Sequence, residues 1–565
     1  MSMTTTRRSF VAGAAGLAGA AGLAGTALAS GAVAAAGAAE AAEAGSAVET
    51  AAESAGETSA IAPIEPLAAP QAWDEEFDVV VVGSGGGLAG AARAAELGAN
   101  VLLVDKMPDI GGASKEASVW VVSGSQPQLD LGMPDLTETL VASALEANPF
   151  GARYEAHVRG TAQAALDLVN WTAENGFAWQ PTTVTDDPGP VGIAPAGSEE
   201  GGMTARAVMS AYKFMAERFE AAGGTLRLST TLDGLVMEDG AVLGVKLTDA
   251  DDNELFVRAT KGVLLATGGM GSNREMLRAY VPTAYECCKL SCTGVQDSGE
   301  GIRMGLGAGG TIDGFDMFME FDGGIDYPDW NAYLYNSAIQ IARQPWLGIT
   351  RHGERYPYIP GGGSSAYVAA AQQLDTLPGH EGFVFFDDRF EEYGPTFQQG
   401  MCRRLIDADT MPDEGRVPEA LANPHWYEGV REAIADGTIT SAETIEELAE
   451  KLGLVPEKVV AAVEEWNALC EQGTDPEGKM PDEFLYPIAQ PPFYGMALGS
   501  LTFATHTGLA VGGAGEVLDA NGDPIPGLYA SGCTLGRPGT GANGDCCYAA
   551  ATAWLAVEAL VAQGE

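Results

Sequence analysis

A glycine-rich turn, placed between a buried strand and a helix, constrains this chain more than any other feature. Residues 79–82 form a valine run, which is typical of a strand that is buried on both faces. Gly83, Gly85, Gly86 and Gly87 follow, and an alanine-rich helix comes next. Glycines let a backbone approach a pyrophosphate, and a helix N-terminus offers it free N–H groups and partial positive charge. The pattern predicts a dinucleotide site on a βαβ unit.

The acidic residue of such a site is also present. A second apolar run, 101–104, ends in Asp105, whose carboxylate can accept a hydrogen bond from a ribose hydroxyl. Leu88 stands where the third glycine of G-x-G-x-x-G is expected, so we predict a turn one residue shorter in which Gly87 takes that role. The alternative is a glycine-rich turn in an ordinary βαβ unit.

The net charge of the chain restricts its partners. Its 565 residues include 77 acidic side chains and 30 lysines and arginines, a formal net charge of −47 at pH 7. Such a surface lacks the cations that bind nucleic acids or anionic membranes, and we exclude both. We expect no membrane-spanning run after the N-terminal segment, and the length allows two large domains.

The N-terminal segment has the order of an export signal. Residues 1–29 contain the twin-arginine stretch TRRSFV, a modestly apolar stretch and an A-x-A cleavage pattern. Residues 30–72 are almost entirely Ala, Gly, Glu, Ser and Pro, which favours a disordered linker. We therefore expect export by the twin-arginine route to the periplasm or the extracytoplasmic cell envelope, with folded sequence beginning near Trp73.

The cysteines do not form a disulfide pattern. Eight are present, two adjacent pairs among them, and no C-x-x-C-H haem motif occurs. Buried thiols are the favoured interpretation, with iron–sulfur ligation by Cys287, Cys288 and Cys292 as the alternative.

Periodicity outlines the remaining elements. Alternation predicts strands over 225–259, and a buried strand over 261–269 ends in a glycine turn. Helices are predicted at 135–147, 153–175, 203–222, 441–451 and 456–470.

Five ordered segments resemble one flavoprotein family. VVVGSGG (80–86) and VLLATGGMGSN (263–273) are similar to the FAD domain of the fumarate reductase, succinate dehydrogenase and 3-ketosteroid dehydrogenase flavoproteins. Asp105-Lys106 with GGAS (111–114), GEGI (299–302) and GDPIPGLYASG (522–532) resemble three further family segments in order. The resemblance implies FAD and an α/β fold: a discontinuous Rossmann-type FAD-binding domain (73–345 and 499–565) with an inserted α+β capping domain (346–498).

The resemblance also implies which residues bind the cofactor. They lie in the glycine turn, at the end of the second strand and in the later family segments. They are Gly83, Gly85, Gly86, Gly87, Asp105, Lys106, Gly111, Gly112, Ala113, Ser114, Thr267, Gly268, Glu300, Gly532, Cys533, Gly541 and Ala542.

On the substrate side the chain departs from the family. Gly363 stands at the place of the catalytic arginine of fumarate reductases, and Gly544 replaces the arginine of the family's G-A-N-R segment. A dicarboxylate needs such arginine partners, so we expect a neutral or weakly anionic substrate. THTG (505–508) resembles the family's H-H-T-x-G, which makes His506 a substrate-side candidate; the alternative is a hydrogen-bonded histidine at a domain boundary.

Two other kinds of residue are candidates for catalysis. Arg537 stands where ketosteroid dehydrogenases have a tyrosine that binds a carbonyl oxygen. It could polarise an enone carbonyl or grip one carboxylate, or it could be a surface arginine. For the proton donor we favour Tyr367, followed by Tyr358, with Tyr327, Tyr333 and Tyr335 as further candidates.

Together these features predict an exported FAD-dependent oxidoreductase acting on CH–CH groups, an ene-reductase. It would transfer hydride from flavin N5 to a carbonyl-activated C=C bond of a small organic acceptor. Because export removes the protein from the nicotinamide pool, we expect an extracytoplasmic electron donor: a cytochrome, quinol or flavin-carrying protein. Two alternatives remain: a ketosteroid-type dehydrogenase that introduces a double bond, and a non-catalytic flavin-binding protein.

Overall fold

The computed structural model describes most of the chain after residue 60. The described residues are 61–146, 152–182, 191–198, 207–327, 330–332, 336–361, 364–394, 405, 425–537 and 545–562. Several predicted features lie outside them: the signal at 1–29, Tyr333, Tyr335, Gly363, Gly541, Ala542 and Gly544.

The described strands are β1 (Leu67–Ala68), β2 (Glu75–Val82), β3 (Val101–Val104), β4 (Trp120–Val121), β5 (Trp179–Thr182), β6 (Gly192–Pro195), β7 (Thr225–Arg227), β8 (Thr231–Glu238), β9 (Ala241–Thr248), β10 (Glu254–Leu265), β11 (Cys288–Ser291), β12 (Ile312–Asp313), β13 (Phe318–Gly324), β14 (Leu347–Ile349), β15 (Gly382–Asp387), β16 (Thr440–Ala442), β17 (Phe493–Thr505), β18 (Gly508–Leu509), β19 (Glu516–Leu518) and β20 (Pro524–Ala530).

The described α-helices are α1 (Gly87–Glu96), α2 (Gln126–Leu129), α3 (Thr137–Glu146), α4 (Ala152–Glu174), α5 (Met209–Ala221), α6 (Arg274–Tyr280), α7 (Pro282–Cys287), α8 (Glu300–Gly307), α9 (Ser337–Ala342), α10 (Ser364–Asp375), α11 (Phe390–Tyr393), α12 (Trp426–Ala435), α13 (Ile445–Lys451), α14 (Pro456–Gln472) and α15 (Asp545–Ala562).

A parallel layer lies at the centre of the main sheet. Strands β7, β3, β2 and β10 are neighbours in that order, and β20 pairs in parallel with the end of β10. Val79 and Val81 pack among α1, α5 and α15, whereas Val80 and Val82 pack into the cluster on the opposite face. Because both faces are covered, the strand reads as a continuous valine run.

An antiparallel extension joins this layer. Strands β8 and β9 and the first half of β10 form a meander whose turns lie at 238–240 and 249–253, where the sequence predicts them. Asp239, Gly240 and Asp252 adopt the positive φ angles that these tight turns require.

A second sheet is organised around β17. The first half of β17 pairs with β15 and β16, and its second half pairs with β11 and β13. The domain boundary predicted between residues 498 and 499 therefore falls inside one continuous strand. The boundaries themselves stay a prediction.

The folded part of the chain begins before Trp73, earlier than the sequence predicts. β1 pairs in parallel with β8, Ile64 N donates to the carbonyl oxygen of Arg303 at 3.0 Å, and Arg303 Nε donates to that of Ala62 at 2.7 Å. Ile61 and Ile64 also pack against the core. The expectation that folded sequence begins near Trp73 is therefore wrong, because β1 and Ile64 already pair with the fold. Residues 30–60, the rest of the predicted linker, lie outside the described residues.

Helix α15 is an exception to the expectation that no run after the N-terminal segment could span a membrane. Of the described helices it alone has the length and apolarity of a membrane span, with a mean hydropathy of 1.3. It packs against α1 and α4, and 61% of it is buried inside the protein. This burial, and not its composition, indicates a helix of the protein core.

Candidate active site

A cleft opens where β2, β3 and β10 end. Val82, Asp105 and Ala266, at or just after the carboxyl ends of these strands, line it. Its empty volume, including the part open to solvent, is about 1330 Å³.

Most of the predicted cofactor residues line this cleft. Those that do are Gly83, Gly85, Gly86, Asp105, Lys106, Gly112, Ala113, Ser114, Thr267, Gly268, Glu300, Gly532 and Cys533. Gly87 and Gly111 lie behind the lining. A Cβ on Gly87 would lie 2.8 Å from the Ala266 Cβ, and Gly111 has φ +100°. These two glycines therefore shape the wall of the cleft.

Gly85 shows that the cleft fits a dinucleotide. A Cβ built on it would meet no protein atom closer than 3.6 Å and would stand in the cleft. A Cβ on Gly86, in contrast, would lie 2.2 Å from the carbonyl oxygen of Ala549. Helix packing explains the glycine at 86, whereas no protein atom requires the one at 85, where a side chain would take the space of a bound pyrophosphate.

Asp105 ties the glycine turn to the end of β3. Its Oδ2 accepts from Ser84 N at 2.7 Å and from Ser84 Oγ at 2.6 Å, and its Oδ1 accepts from Met107 N at 2.9 Å. Ser84 Oγ accepts in turn from Gly111 N at 3.1 Å. Lys106 binds Glu300 at 2.5 Å. These contacts join the β2, β3 and α8 walls of the cleft.

Asp297 is a buried carboxylate that the sequence motifs do not predict. It lines the cleft and accepts hydrogen bonds from Gly269 N and, at 3.3 Å, from Gly271 N. Burial raises its pKa above the usual value. It lies two residues before the GEGI segment and fixes the glycine turn after β10.

Arg537, His506 and Asp545 form a buried cluster at the edge of the cleft. Arg537 Nη2 donates to His506 Nε2 at 2.5 Å and to Asp545 Oδ1. Asp545 begins α15 and lines the cleft. The Arg537 guanidinium lies 4.4 Å above the ring of Tyr548, whose hydroxyl contacts His157 Nε2 at 2.8 Å. Arg537 and His506 are predicted from the sequence, and Asp545 is not.

His506 is a neutral acceptor in this cluster. Burial, and then the Arg537 guanidinium, hold the pKa of His506 well below its usual value. Because a guanidinium can only donate, Nε2 accepts from Arg537 and the ring proton lies on Nδ1. The 3.0 Å approach of Nε2 to Asp545 Oδ1 is then bridged by the two hydrogens of Arg537 Nη2. His506 positions the guanidinium.

The tyrosines favoured as proton donors lie away from the cleft. Tyr367 is fully buried, with its ring 5.2 Å from that of Phe321. Phe321 stacks on Phe503, which lines the cleft, so two phenylalanines lie between Tyr367 and the cleft. Tyr358 lines a separate cavity of about 440 Å³, and Tyr327 packs on the apolar cluster around Tyr367. The structure does not bring these tyrosines together with Arg537.

The described cysteines form no disulfide bond with one another. Cys533, Cys546 and Cys292 line the cleft, and burial raises the pKa of Cys533 to about 12. Cys533 is therefore a neutral thiol at neutral pH. Within the described residues no group of three His, Cys, Asp or Glu side chains is arranged to hold a metal ion.

Residues 78–546 match the FAD binding domain family. The chain belongs to this family. Its cofactor is FAD, and the predicted enzyme class, an FAD-dependent oxidoreductase acting on CH–CH groups, is confirmed.

Two characterised relatives are similar to this chain over most of its length. A vinyl phenol reductase from Lactiplantibacillus plantarum is 28% identical over 477 residues, which cover 81% of this chain and 90% of that protein. An NADH:fumarate oxidoreductase from Klebsiella pneumoniae is 27% identical over 469 residues, 82% of this chain but 45% of that protein. The chain spans less than half of this second relative.

Solved structures share the mixed α/β fold. The open conformation of a flavocytochrome c3 fumarate reductase has a TM-score of 0.61 at 21% identity, covering 86% of this chain and 77% of that one. A 3-ketosteroid delta1-dehydrogenase from Sterolibacterium denitrificans also has a TM-score of 0.61, at 19% identity, covering 86% of this chain and 100% of that one. The predicted resemblance to both branches of the family is confirmed.

Proposed function

We propose that the protein reduces the C=C bond of a small, neutral organic acceptor. When bound, FAD supplies hydride transfer at N5. The observation that carries the proposal is the buried Arg537 guanidinium, which is paired with Asp545, a residue that lines the cleft. A fixed donor in such a site can stabilise charge that develops on an oxygen conjugated with the reacting bond. The first relative, a reductase matched over 90% of its length, supports the reducing direction.

Anaerobic stopped-flow spectroscopy tests the direction. The chemically reduced protein should be reoxidised by unsaturated acceptors. If the oxidised protein is instead bleached by saturated ketones while the reduced protein ignores enones, the protein is a ketosteroid-type dehydrogenase and the proposal fails. A purified protein that stays colourless after reconstitution with FAD would exclude both the reductase and the dehydrogenase.

Substitutions of Arg537 test most directly whether its guanidinium takes part in the reaction. Arg537→Ala should lower the rate of acceptor reduction at least tenfold, since removing one such donor typically costs a factor of about 100 or more. Arg537→Lys keeps the charge without the planar fork and should recover part of the rate. The same rate in all three proteins would show that Arg537 lies outside the reaction.

We also propose the domain arrangement and the location. The parallel layer of β7, β3, β2, β10 and β20 supports a Rossmann-type FAD domain, discontinuous around an inserted cap at 346–498. TRRSFV supports twin-arginine export and a cytochrome, quinol or flavoprotein donor outside the cytoplasm. Replacing Arg7 and Arg8 by lysine should leave the full-length precursor in the cytoplasm; unchanged export would exclude this route.

A further inference from the structure

The glycine turn after β10 closes around the Asp297 carboxylate. A Cβ built on Gly268 would lie 2.5 Å from its Oδ1, and one built on Gly271 would lie 3.2 Å from its Oδ2. Gly269 N and Gly271 N donate to this carboxylate. Ser272 N donates to the backbone oxygen of Asp297 at 3.0 Å. Side chains at these glycines would displace the carboxylate, so the turn is built around it.

The same carboxylate lies in the wall of the cofactor cleft. Asp297 lines the cleft together with Thr267 and Gly268, two of the predicted cofactor residues, and it is only 5% exposed. FAD bound in the cleft shields it further from water. A charge on the bound cofactor then acts on Asp297 through a medium of lower dielectric constant than water, in which the interaction is stronger.

The groups around Asp297 leave its charge incompletely balanced. Burial raises the pKa of Asp297, and Lys106 is the nearby cation that lowers it. Lys106 also binds Glu300 at 2.5 Å, so its charge is shared between two carboxylates. Cys533 is an uncharged neighbour, because burial raises the pKa of its thiol to about 12, and the Thr293 hydroxyl and the amides of the turn are uncharged. Within the described part of the chain, Asp297 has no cation of its own.

We propose that Asp297 takes up a proton from solvent when the bound flavin is reduced. Reduction of a flavin by two electrons and one proton leaves one negative charge on it at neutral pH. A new negative charge in the cleft makes the charged form of Asp297 less favourable, so a second proton binds to this carboxylate. The electrons end on the flavin, this proton ends on Asp297, and no bond of the protein breaks. The inference depends on FAD and not on the acceptor, so it goes beyond the proposed function.

The midpoint potential of the FAD-loaded protein tests the inference. Titration with dithionite in the presence of reference dyes gives this potential at each pH between about 5 and 9, and a tenfold change in a two-electron equilibrium is worth about 30 mV. The potential therefore falls by about 30 mV per pH unit if one proton accompanies two electrons, and by about 59 mV if two do. The unaltered protein should show the steeper slope between the pKa values that Asp297 has in the oxidised and the reduced protein. A slope of about 30 mV throughout would overturn the inference.

Asp297→Asn provides the variant. It keeps the size of the side chain but cannot take up the proton, so its slope should stay at about 30 mV per pH unit. The control is Glu275→Gln, which removes an acid from α6, the helix that follows the same turn. The Glu275 side chain is 33% exposed and pairs with Arg278, so solvent screens its charge and the control should keep the slope of the unaltered protein. A steeper slope that persists in Asp297→Asn would place the second proton on another group and overturn the inference.

Infrared difference spectroscopy gives a second test that holds even if Asp297→Asn fails to fold. The reduced-minus-oxidised spectrum of the unaltered, FAD-loaded protein should gain the C=O band of a protonated carboxyl group. Labelling the aspartates with the heavy carbon isotope at the side-chain carboxyl should shift this band. A spectrum without the band, or a band that only labelled glutamate shifts, would overturn the inference.

Discussion

Gly85 and Gly86 are neighbours in the turn after β2, and they lack a side chain for different reasons. At Gly85 the protein leaves room for a Cβ, but that atom would stand in the cleft. Gly85→Ala should therefore leave the melting temperature of the apoprotein unchanged and weaken FAD binding at least about tenfold, because the backbone can no longer approach the pyrophosphate. Calorimetry and fluorescence titration with FAD measure the two quantities.

Gly86→Ala is the matched comparison. Its Cβ would lie 2.2 Å from the carbonyl oxygen of Ala549, so α1 and α15 must move apart. The apoprotein itself should lose roughly 1–3 kcal/mol of unfolding free energy, the usual cost of overpacking. If both variants lose stability equally, the turn is a packing feature and Gly85 is not evidence of a nucleotide site.

The residues that could be predicted from the sequence lie in short contiguous patterns. The glycine turn, Asp105 and GGAS are each readable within a few neighbouring residues, and the structure lines one cleft with them. Asp545 could not be found this way. Its contacts with His506 and Arg537 join segments 39 and 8 residues apart, and only the fold brings them together.

Strand β13 and helix α10 meet through two carboxyl groups. Glu320 on β13 is 7% exposed and contacts Asp375 at the end of α10, which also accepts from Ser500 Oγ on β17 at 2.7 Å. Burial, and then the neighbouring Asp375, raise the pKa of Glu320 to about 9. Glu320 therefore holds a proton at neutral pH and can donate to Asp375.

This contact predicts a pH dependence of stability. The pKa is raised above the usual 4.5, so the folded state binds a proton that the unfolded state releases. The stabilisation is fully present below pH 4.5 and is lost as the pH rises through about 9. Glu320→Gln mimics the protonated acid and should flatten the decline between pH 7 and 9 in urea unfolding. Asp326→Asn, an exposed acid after the same strand, should decline like the unaltered protein.

Long periodic elements were predictable, and their ends were less so. The helix predicted at 456–470 is α14, which Pro456 begins as its first residue. The helix predicted from 441 begins at Ile445 instead, because Thr444 Oγ1 accepts from Glu447 N as its N-cap. Ser441 and Ala442 belong to β16 and pair with β17. That pairing depends on a strand some fifty residues later and has no local signal.

For the whole molecule, β17 determines how the parts are joined. Its thirteen residues continue without a break from the sheet of β14, β15 and β16 to the strands β11 and β13, close to the cleft. Composition indicates two large parts but carries no information on which strand runs through both. Phe503 and Ala504 of the same strand line the cleft. A displacement of β17 would therefore move the wall of the cleft.

The net charge of −47 is a property of the molecule as a whole, and it predicts a dependence on salt. Like charges on a compact surface repel, and the repulsion is screened as the Debye length falls from about 10 Å at 0.1 M to about 3 Å at 1 M salt. The melting temperature should rise by roughly 3 °C or more between 0.05 and 0.5 M KCl, which corresponds to about 1 kcal/mol of unfolding free energy. A double variant tests the same repulsion. Glu450→Gln/Glu464→Gln removes two exposed acids, one from helix α13 and one from helix α14. Because fewer charges then repel, its melting temperature should be higher at low salt and should rise less with KCl. Sucrose raises stability without screening, so it should shift both proteins equally. A melting temperature that falls with KCl would show that attractive ion pairs, such as Arg355 with Asp475, outweigh the repulsion.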